Sequence, residues 1–130
     1  MKKINNVMEN RDFKRIMDKS KPIKNNYYMV FVEKDNEINN YHFGISVSKK
    51  LGNAVKRNKL KRQIKSIIDK KSYQKNFNCI IILRRDILNL NYQEMDQKLM
   101  EILNKIDIIK GEYNEKKYEK NIDFIIVIMR

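Results

Sequence analysis

Basic side chains are concentrated in the middle of the chain, where their type and spacing suit the binding of anions. No acidic residue lies between Glu37 and Asp69. The same interval holds eight basic residues, which are Lys49, Lys50, Lys56, Arg57, Lys59, Lys61, Arg62 and Lys65. Ammonium and guanidinium groups at this density attract a polyanion, and the guanidinium fork can bind a phosphate with two hydrogen bonds. A solvated face of a lysine-rich helix is the plainer interpretation, but the missing acids favour a binding surface.

The strand, turn and helix that must position these cations can be predicted from residue periodicity. Alternation over residues 41–48 predicts a strand, Gly52-Asn53 predicts a turn, and residues 54–71 predict a helix. Asn53 can cap this helix or reach a ligand, and the unpaired N–H groups of the first helical turn suit phosphate. The three elements together form a rigid support for cations.

A helical projection of residues 54–71 separates apolar from polar chemistry. The core stripe is formed by Leu60, Ile64, Ile67 and Ile68. The outward arc is formed by Asn58, Lys61, Arg62 and Lys65, with Lys59 beside it. Arg57 differs from these residues, because it lies in line with the core stripe but one turn closer to the helix N-terminus.

The remaining elements predict an α+β fold with helices packed on a sheet. Helical spacing covers residues 11–19, strand patterns cover residues 27–33 and 78–83, and a last strand is predicted over residues 122–129. Asn91 with Glu94 resembles a capping box that opens a third helix. We expect the strands over residues 27–33 and 41–48 to form a hairpin, and the apolar run 78–83 to be an interior strand. The charged segment 111–121 is expected to be solvated.

Composition limits the class of protein. The 130 residues carry a formal net charge of +13, and 42% of them are hydrophobic, which fits one basic domain with a modest core and an anionic partner. Cys79 is the only cysteine, so no disulfide can form within the chain, and its apolar neighbours predict a buried thiol. No signal peptide is recognisable, and the longest apolar run, residues 124–129, is far below the ~20 residues of a membrane span. We expect a soluble, cytoplasmic protein.

The sequence offers no residues for a catalytic site or a metal site within the protein. His42 is the only histidine, and a solvent-facing or stacking role on its predicted strand suits it better than general-base work. Asp35 and Glu37 lie in a polar turn, where acidic pairs are normally solvated. No His/Cys cluster has zinc-ligand spacing, and the three glycines form no phosphate-binding loop.

Two adjoining motifs resemble the signature of the bacterial ribonuclease P protein subunit. They are Phe43-Gly-Ile-Ser-Val-Ser-Lys-Lys50 and Gly52-Asn-Ala-Val-Lys-Arg-Asn-Lys-Leu-Lys-Arg62. The resemblance extends to Asn10-Arg-Asp-Phe13, to Leu83-Arg-Arg85 and to Leu90-Asn-Tyr-Gln-Glu94. It covers roughly residues 1–106, which we expect to form the RNA-binding domain, and leaves residues 107–130 as an extension of unknown role that could add a strand.

The resemblance implies a fold and a function. The fold is a two-layer α/β sandwich of about four strands and three helices, with a left-handed βαβ crossover around the basic helix. The function is that of a subunit of an endoribonuclease that removes the 5′ leader from precursor tRNA. In this family a large RNA subunit holds Mg²⁺ and carries out the hydrolysis, while the protein binds the leader and strengthens the affinity for metal and substrate.

Carried over by position, the resemblance implies two sets of site residues. The set expected to contact the RNA subunit is Lys49, Lys50, Asn53, Lys56, Arg57, Asn58, Lys59, Lys61, Arg62 and Lys65. The set expected to line a cleft for the single-stranded leader is Phe13, Met17 and Phe31, whose aromatic members can stack on bases of any sequence. Core packing is an equally plain interpretation of Phe13 and Phe31.

The chain departs from the family pattern at two positions. The family commonly has an aromatic residue where Met17 stands, and Lys59 replaces the second arginine of the Arg-Asn-Arg motif, which removes one guanidinium fork. The main alternative function is a ribosomal or ribosome-assembly protein without a role in cleavage. A DNA-binding regulator that uses residues 54–71 as a recognition helix ranks below it, because the preceding residues predict a strand rather than a helix. A protein nuclease acting alone ranks last.

Overall fold

The computed structural model describes residues 10–112 and 122–127, with side chains described for residues 12–109. Its helices are α1 (Asn10–Lys19), α2 (Ala54–Asp69) and α3 (Tyr92–Ile106), and two short 3₁₀ helices span Lys49–Leu51 and Arg85–Asn89. Its strands are β1 (Ile23–Lys24), β2 (Tyr28–Lys34), β3 (Tyr41–Ser46), β4 (Lys71–Tyr73), β5 (Phe77–Leu83), β6 (Ile109–Glu112) and β7 (Ile122–Val127). The predicted α+β class is confirmed.

The main sheet has the strand order β1-β2-β5-β3-β7, and β4 pairs with β6 in a second, two-stranded sheet. β5 is antiparallel to β2 and parallel to β3, and β7 is parallel to β3. The predicted hairpin between β2 and β3 is therefore wrong, because β5 lies between them. All but one of the seven residues of β5 are buried, and a strand this apolar is best covered on both faces in the interior of the sheet. The parallel β3–β5 pair then needs a crossover connection, which α2 supplies.

The α-helices are divided between the two faces of the main sheet. α2 and α3 cover the face that carries Tyr28, Val30, Phe43 and Ile81. α1 covers part of the opposite face, where Phe31 of β2 and Ile80 of β5 are cross-strand neighbours. Alternation along β2 therefore separates Phe31 from Val30, as the period of two requires.

Two helices start at the caps that their sequences predict. The Asn91 side chain accepts a hydrogen bond from the Glu94 amide at 2.8 Å, and the Glu94 carboxylate accepts one from the Asn91 amide at 2.9 Å, which completes the capping box of α3. The Asn53 side chain caps α2 by accepting a hydrogen bond from the Lys56 amide. α2 ends two residues before its predicted end, because Lys71 enters β4.

The strand predicted near the C-terminus includes β7, whose backbone lies beside β3 along the sheet edge. The predicted solvated segment begins with the last two residues of β6, and its residues 113–121 lie outside the described part of the chain. Across the part of the chain that the structure describes, no helix has the length and apolarity needed to cross a membrane.

Candidate nucleic-acid interface

The path from β3 into α2 exposes two lysines on an anchored turn. Ser48 Oγ accepts a hydrogen bond from the Lys50 amide at 3.1 Å and starts the 3₁₀ helix Lys49–Leu51. Leu51 is buried in the larger core, whereas Lys49 and Lys50 are exposed. The turn therefore holds two cations in water from a backbone fixed by one buried leucine and one side-chain cap.

Gly52 and Asn53 define the start of α2. Gly52 has φ +142°, in the region that favours glycine, and a β-carbon placed on it would lie 2.7 Å from Lys56 Cδ. Asn53 is extended and its Oδ1 accepts a hydrogen bond from the Lys56 amide at 2.9 Å. Of the two roles predicted for Asn53, the structure shows helix capping.

The outward face of α2 separates from its core face as the projection predicts. Leu60, Ile64, Ile67 and Ile68 are buried. The exposed side chains of the predicted RNA-binding set on this helix are Lys56, Asn58, Lys59, Arg62 and Lys65, and Lys61 is half-buried. The salt bridges found among residues 12–109 involve none of Lys49, Lys50, Lys56, Lys59, Lys61 and Arg62. We call these six residues the basic surface.

Like charges lie close together at the start of α2. Partial burial, together with the positive charge of Arg57, lowers the pKa of Lys61. The nearest acidic residues in sequence are Glu37 and Asp69. An external anion would relieve the repulsion, so the basic surface is electrostatically suited to a polyanion.

Arg57 is held differently from the residues of the basic surface. Its side chain is half-buried, and its Nε donates a hydrogen bond to the Gly52 carbonyl oxygen at 3.1 Å. Its Nη1 is buried without a hydrogen-bond partner in the described structure. The guanidinium is thus turned back toward the N-terminal end of the helix, in keeping with the position of Arg57 above the core stripe.

The structure brings Phe13, Met17 and Phe31 together between α1 and the sheet. Phe13 is 5% exposed and Phe31 is 6% exposed, and both pack with Ile16 and Ile80 in the smaller core. Met17 packs at the border of this cluster and is half-buried. The two rings are core side chains here, so Met17 is the member of the predicted leader set that retains exposure.

A row of polar side chains crosses the same face of the sheet next to this cluster, and the sequence analysis did not predict it. Asn78 Nδ2 donates a hydrogen bond to Glu33 Oε1 at 3.1 Å, and Arg15 forms an ion pair with Glu33. Because this bond fixes the orientation of the Asn78 amide, its Oδ1 accepts from His42 Nδ1 at 2.9 Å. His42 is therefore hydrogen-bonded along the sheet, which neither predicted role included. Cross-strand neighbours of this kind could have been found only from the strand order.

Val55 is a further residue that the sequence analysis missed. It lies in the first turn of α2, next to Lys56 in sequence, and 78% of its area is exposed. Only its departure from the apolar stripe of α2 could have signalled it. Its position allows an apolar contact with whatever partner covers the surrounding lysines.

Two chemical properties of the described residues bear on catalysis. No three histidine, cysteine, aspartate or glutamate side chains within residues 12–109 are grouped so that they could hold a metal ion. These residues therefore form no all-protein cage for a metal ion. Cys79 is fully buried, as predicted, and burial raises the pKa of its thiol far above the usual range.

Comparisons with known proteins agree on one family. The family model described as Ribonuclease P matches residues 1–107. A ribonuclease P protein component from Streptococcus pneumoniae (strain Hungary19A-6) is 37% identical over 125 residues, which cover 95% of this chain and 100% of the relative. The solved RNase P protein of Staphylococcus aureus matches with a TM-score of 0.72 and 30% identity over 80% of this chain and 96% of that chain. The Thermotoga maritima RNase P protein matches with a TM-score of 0.68 and 27% identity over 78% and 97%.

Proposed function

The chain belongs to the ribonuclease P protein family, and from that premise we propose that it binds the ribonuclease P RNA and the 5′ leader of precursor tRNA. It is thereby a subunit of an RNA-processing enzyme of tRNA maturation. The observation that carries the finer proposal is the basic surface, whose six cations have no ion pairs among residues 12–109. A face of this kind is expected of a protein whose partner is a structured polyanion.

The RNA subunit is proposed to lie across the 3₁₀ turn and the outward face of α2. The contacting residues are the six of the basic surface together with Asn58 and Lys65. Asn53 contributes by fixing the first turn of the helix, where unpaired N–H groups face the phosphates. Arg57, which the resemblance also places among the RNA contacts, is half-buried and its Nε donates to the Gly52 carbonyl oxygen.

The leader is proposed to bind along α1 and β2, beside the cluster of Phe13, Met17 and Phe31. Met17 supplies exposed thioether surface, which can pack on a base. Phe13 and Phe31 form the floor beneath it, since their rings are buried against Ile16 and Ile80. A leader of variable sequence suits this site, because apolar packing on a base does not depend on its hydrogen-bonding edge.

Catalysis is proposed to reside in the RNA subunit, which would also hold Mg²⁺. Support for this division comes from residues 12–109, where no three histidine, cysteine, aspartate or glutamate side chains are grouped so that they could hold a metal ion. The protein is proposed to act in the cytoplasm, where precursor tRNA is made in bacteria.

The test is reconstitution of cleavage. The purified protein is combined with a bacterial ribonuclease P RNA at low Mg²⁺ concentration, precursor tRNA is added, and release of the 5′ leader is followed on a gel. We expect cleavage that requires both components. Tight RNA binding without a gain in cleavage would favour a ribosomal or assembly function, and cleavage by the protein alone would refute the placement of catalysis in the RNA.

The matched variants Arg62→Ala and Lys105→Ala sharpen this test. Arg62 lies on the basic surface, whereas Lys105 is an exposed residue in the last turn of α3. Each removes one cation, so a general effect of net charge would weaken RNA binding equally in both. We expect only Arg62→Ala to weaken assembly and to lower the slope of log K against log salt concentration, by about 0.7–0.9.

A further inference from the structure

Arg57 is not one of the six residues of the basic surface, and its geometry points to a role other than phosphate contact. Its Nε donates to the Gly52 carbonyl oxygen at 3.1 Å, and its side chain is half-buried. Lys61, one helical turn further on, has its pKa lowered by partial burial and by the charge of Arg57, so the guanidinium lies close to the helix surface. An arginine that served only as an outward phosphate ligand would need neither the bond nor the burial.

The carbonyl that accepts from Arg57 belongs to Gly52, which links the turn carrying Lys49 and Lys50 to α2. Gly52 joins the 3₁₀ helix to α2 with φ +142°, and glycine has more conformational freedom in the unfolded chain than any other residue. Its amide donates to the Lys49 carbonyl at 3.3 Å, and the next residue caps α2. The Arg57 bond closes this turn from the helix side.

We propose that Arg57 is a positioning residue, which holds the Gly52 turn so that Lys49 and Lys50 keep a fixed place relative to α2. The proposal rests on the proposed function, since it concerns the same RNA-binding surface. When the backbone turn that carries Lys49 and Lys50 is already fixed in the free protein, that backbone loses no further conformational entropy as the RNA binds. Release of one residue into free backbone rotation weakens binding by about 10-fold, because ordering one residue costs roughly that factor.

Two substitutions separate the hydrogen bond from the charge. Arg57→Gln removes the charge but keeps an N–H donor, because glutamine Nε2 stands the same number of bonds from the backbone as arginine Nε. Arg57→Lys keeps the charge but places a methylene group at that point. The same pair at Arg62, which is exposed and makes no ion pair among residues 12–109, is the matched control.

The first measurement is the affinity of the folded variants for ribonuclease P RNA at several salt concentrations. At position 57 we expect Gln to bind within about 3-fold of wild type and Lys to bind about 10-fold more weakly. At position 62 we expect the reverse order, because only the charge matters there. If position 57 follows the order of position 62, Arg57 is a phosphate ligand and the proposal is wrong.

The second measurement uses the free protein and requires no RNA. Hydrogen exchange of the Leu51 and Gly52 amides reports the 3₁₀ turn, because both amides donate within it. We expect faster exchange in Arg57→Lys than in wild type and Arg57→Gln. Equal exchange in all three overturns the positioning role. If wild type shows the expected exchange but fails to bind the RNA, the proposed function is refuted, whereas the positioning role of Arg57 in the free protein stands.

Discussion

Truncation of Phe31 tests whether its ring belongs to the core or to an open binding cleft. Phe31 is 6% exposed, pairs across the sheet with Ile80, and packs under α1 against Phe13 and Ile16. Removal of a phenyl ring from such a site costs about 3–5 kcal/mol, as lost burial and as a cavity. A domain of this size has a stability of about 5–15 kcal/mol, so Phe31→Ala should remain folded at low temperature but lose a large part of its margin.

The assay is chemical denaturation of the isolated protein, followed by circular dichroism. We expect the midpoint of Phe31→Ala to fall in proportion to this loss, with an unchanged slope, since the surface exposed on unfolding stays nearly the same. Val32→Ala is the matched control, because Val32 is the next residue of β2, points to the other face and is half-buried. It should lose about 1 kcal/mol.

A result for Phe31→Ala within about 1 kcal/mol of wild type would refute the placement of the ring in the core. Met17→Ala completes the comparison, because Met17 is half-buried at the border of the same cluster. It should cost roughly 1–2 kcal/mol and should lower the preference of the assembled enzyme for leader-bearing over mature tRNA. An unchanged preference would remove Met17 from the proposed leader site.

Three further predictions follow from individual sites. Gly52→Ala should destabilise the protein by about 1–3 kcal/mol and weaken RNA binding, because φ +142° is strained for alanine and its β-carbon would meet Lys56. Chemical denaturation and RNA titration measure the two effects, and wild-type behaviour in both would contradict the prediction. Asn91→Ala should cost about 1–2 kcal/mol, since it removes the cap that accepts from the Glu94 amide, and an unchanged denaturation midpoint would show that the cap contributes nothing. The Cys79 thiol, buried and with a raised pKa, should resist alkylation at neutral pH until the protein is denatured, and rapid labelling of the native protein would be inconsistent with this burial.

The helices and their chemical faces could be predicted from the sequence because their causes are local. The stripe from Leu60 to Ile68, the cap at Asn53 and the capping box at Asn91 each depend on residues within two or three helical turns. Lys59, Lys61 and Arg62 of the basic surface follow from the same projection. The predictions of these local features are therefore confirmed, and α2 ends earlier than predicted because β4 begins at Lys71.

The pairing of strands could not be predicted, because it depends on residues far apart in sequence. β2 and β3 look like a hairpin by proximity, but β5 gains more burial between them than at an edge. The row from Glu33 through Asn78 to His42 exists only because three separate strands place these residues in register.

The charge of Arg57, in line with the core stripe, was visible in the sequence, whereas its bond to Gly52 was not. A side chain of this length can reach outward to a phosphate or back to the turn, and the local sequence permits both. The close approach of the Gly52 carbonyl, set by the turn between the 3₁₀ helix and α2, decides the direction. Composition and periodicity thus determined that this protein presents cations on a helix, and the tertiary structure decided which of them are free to bind an external anion.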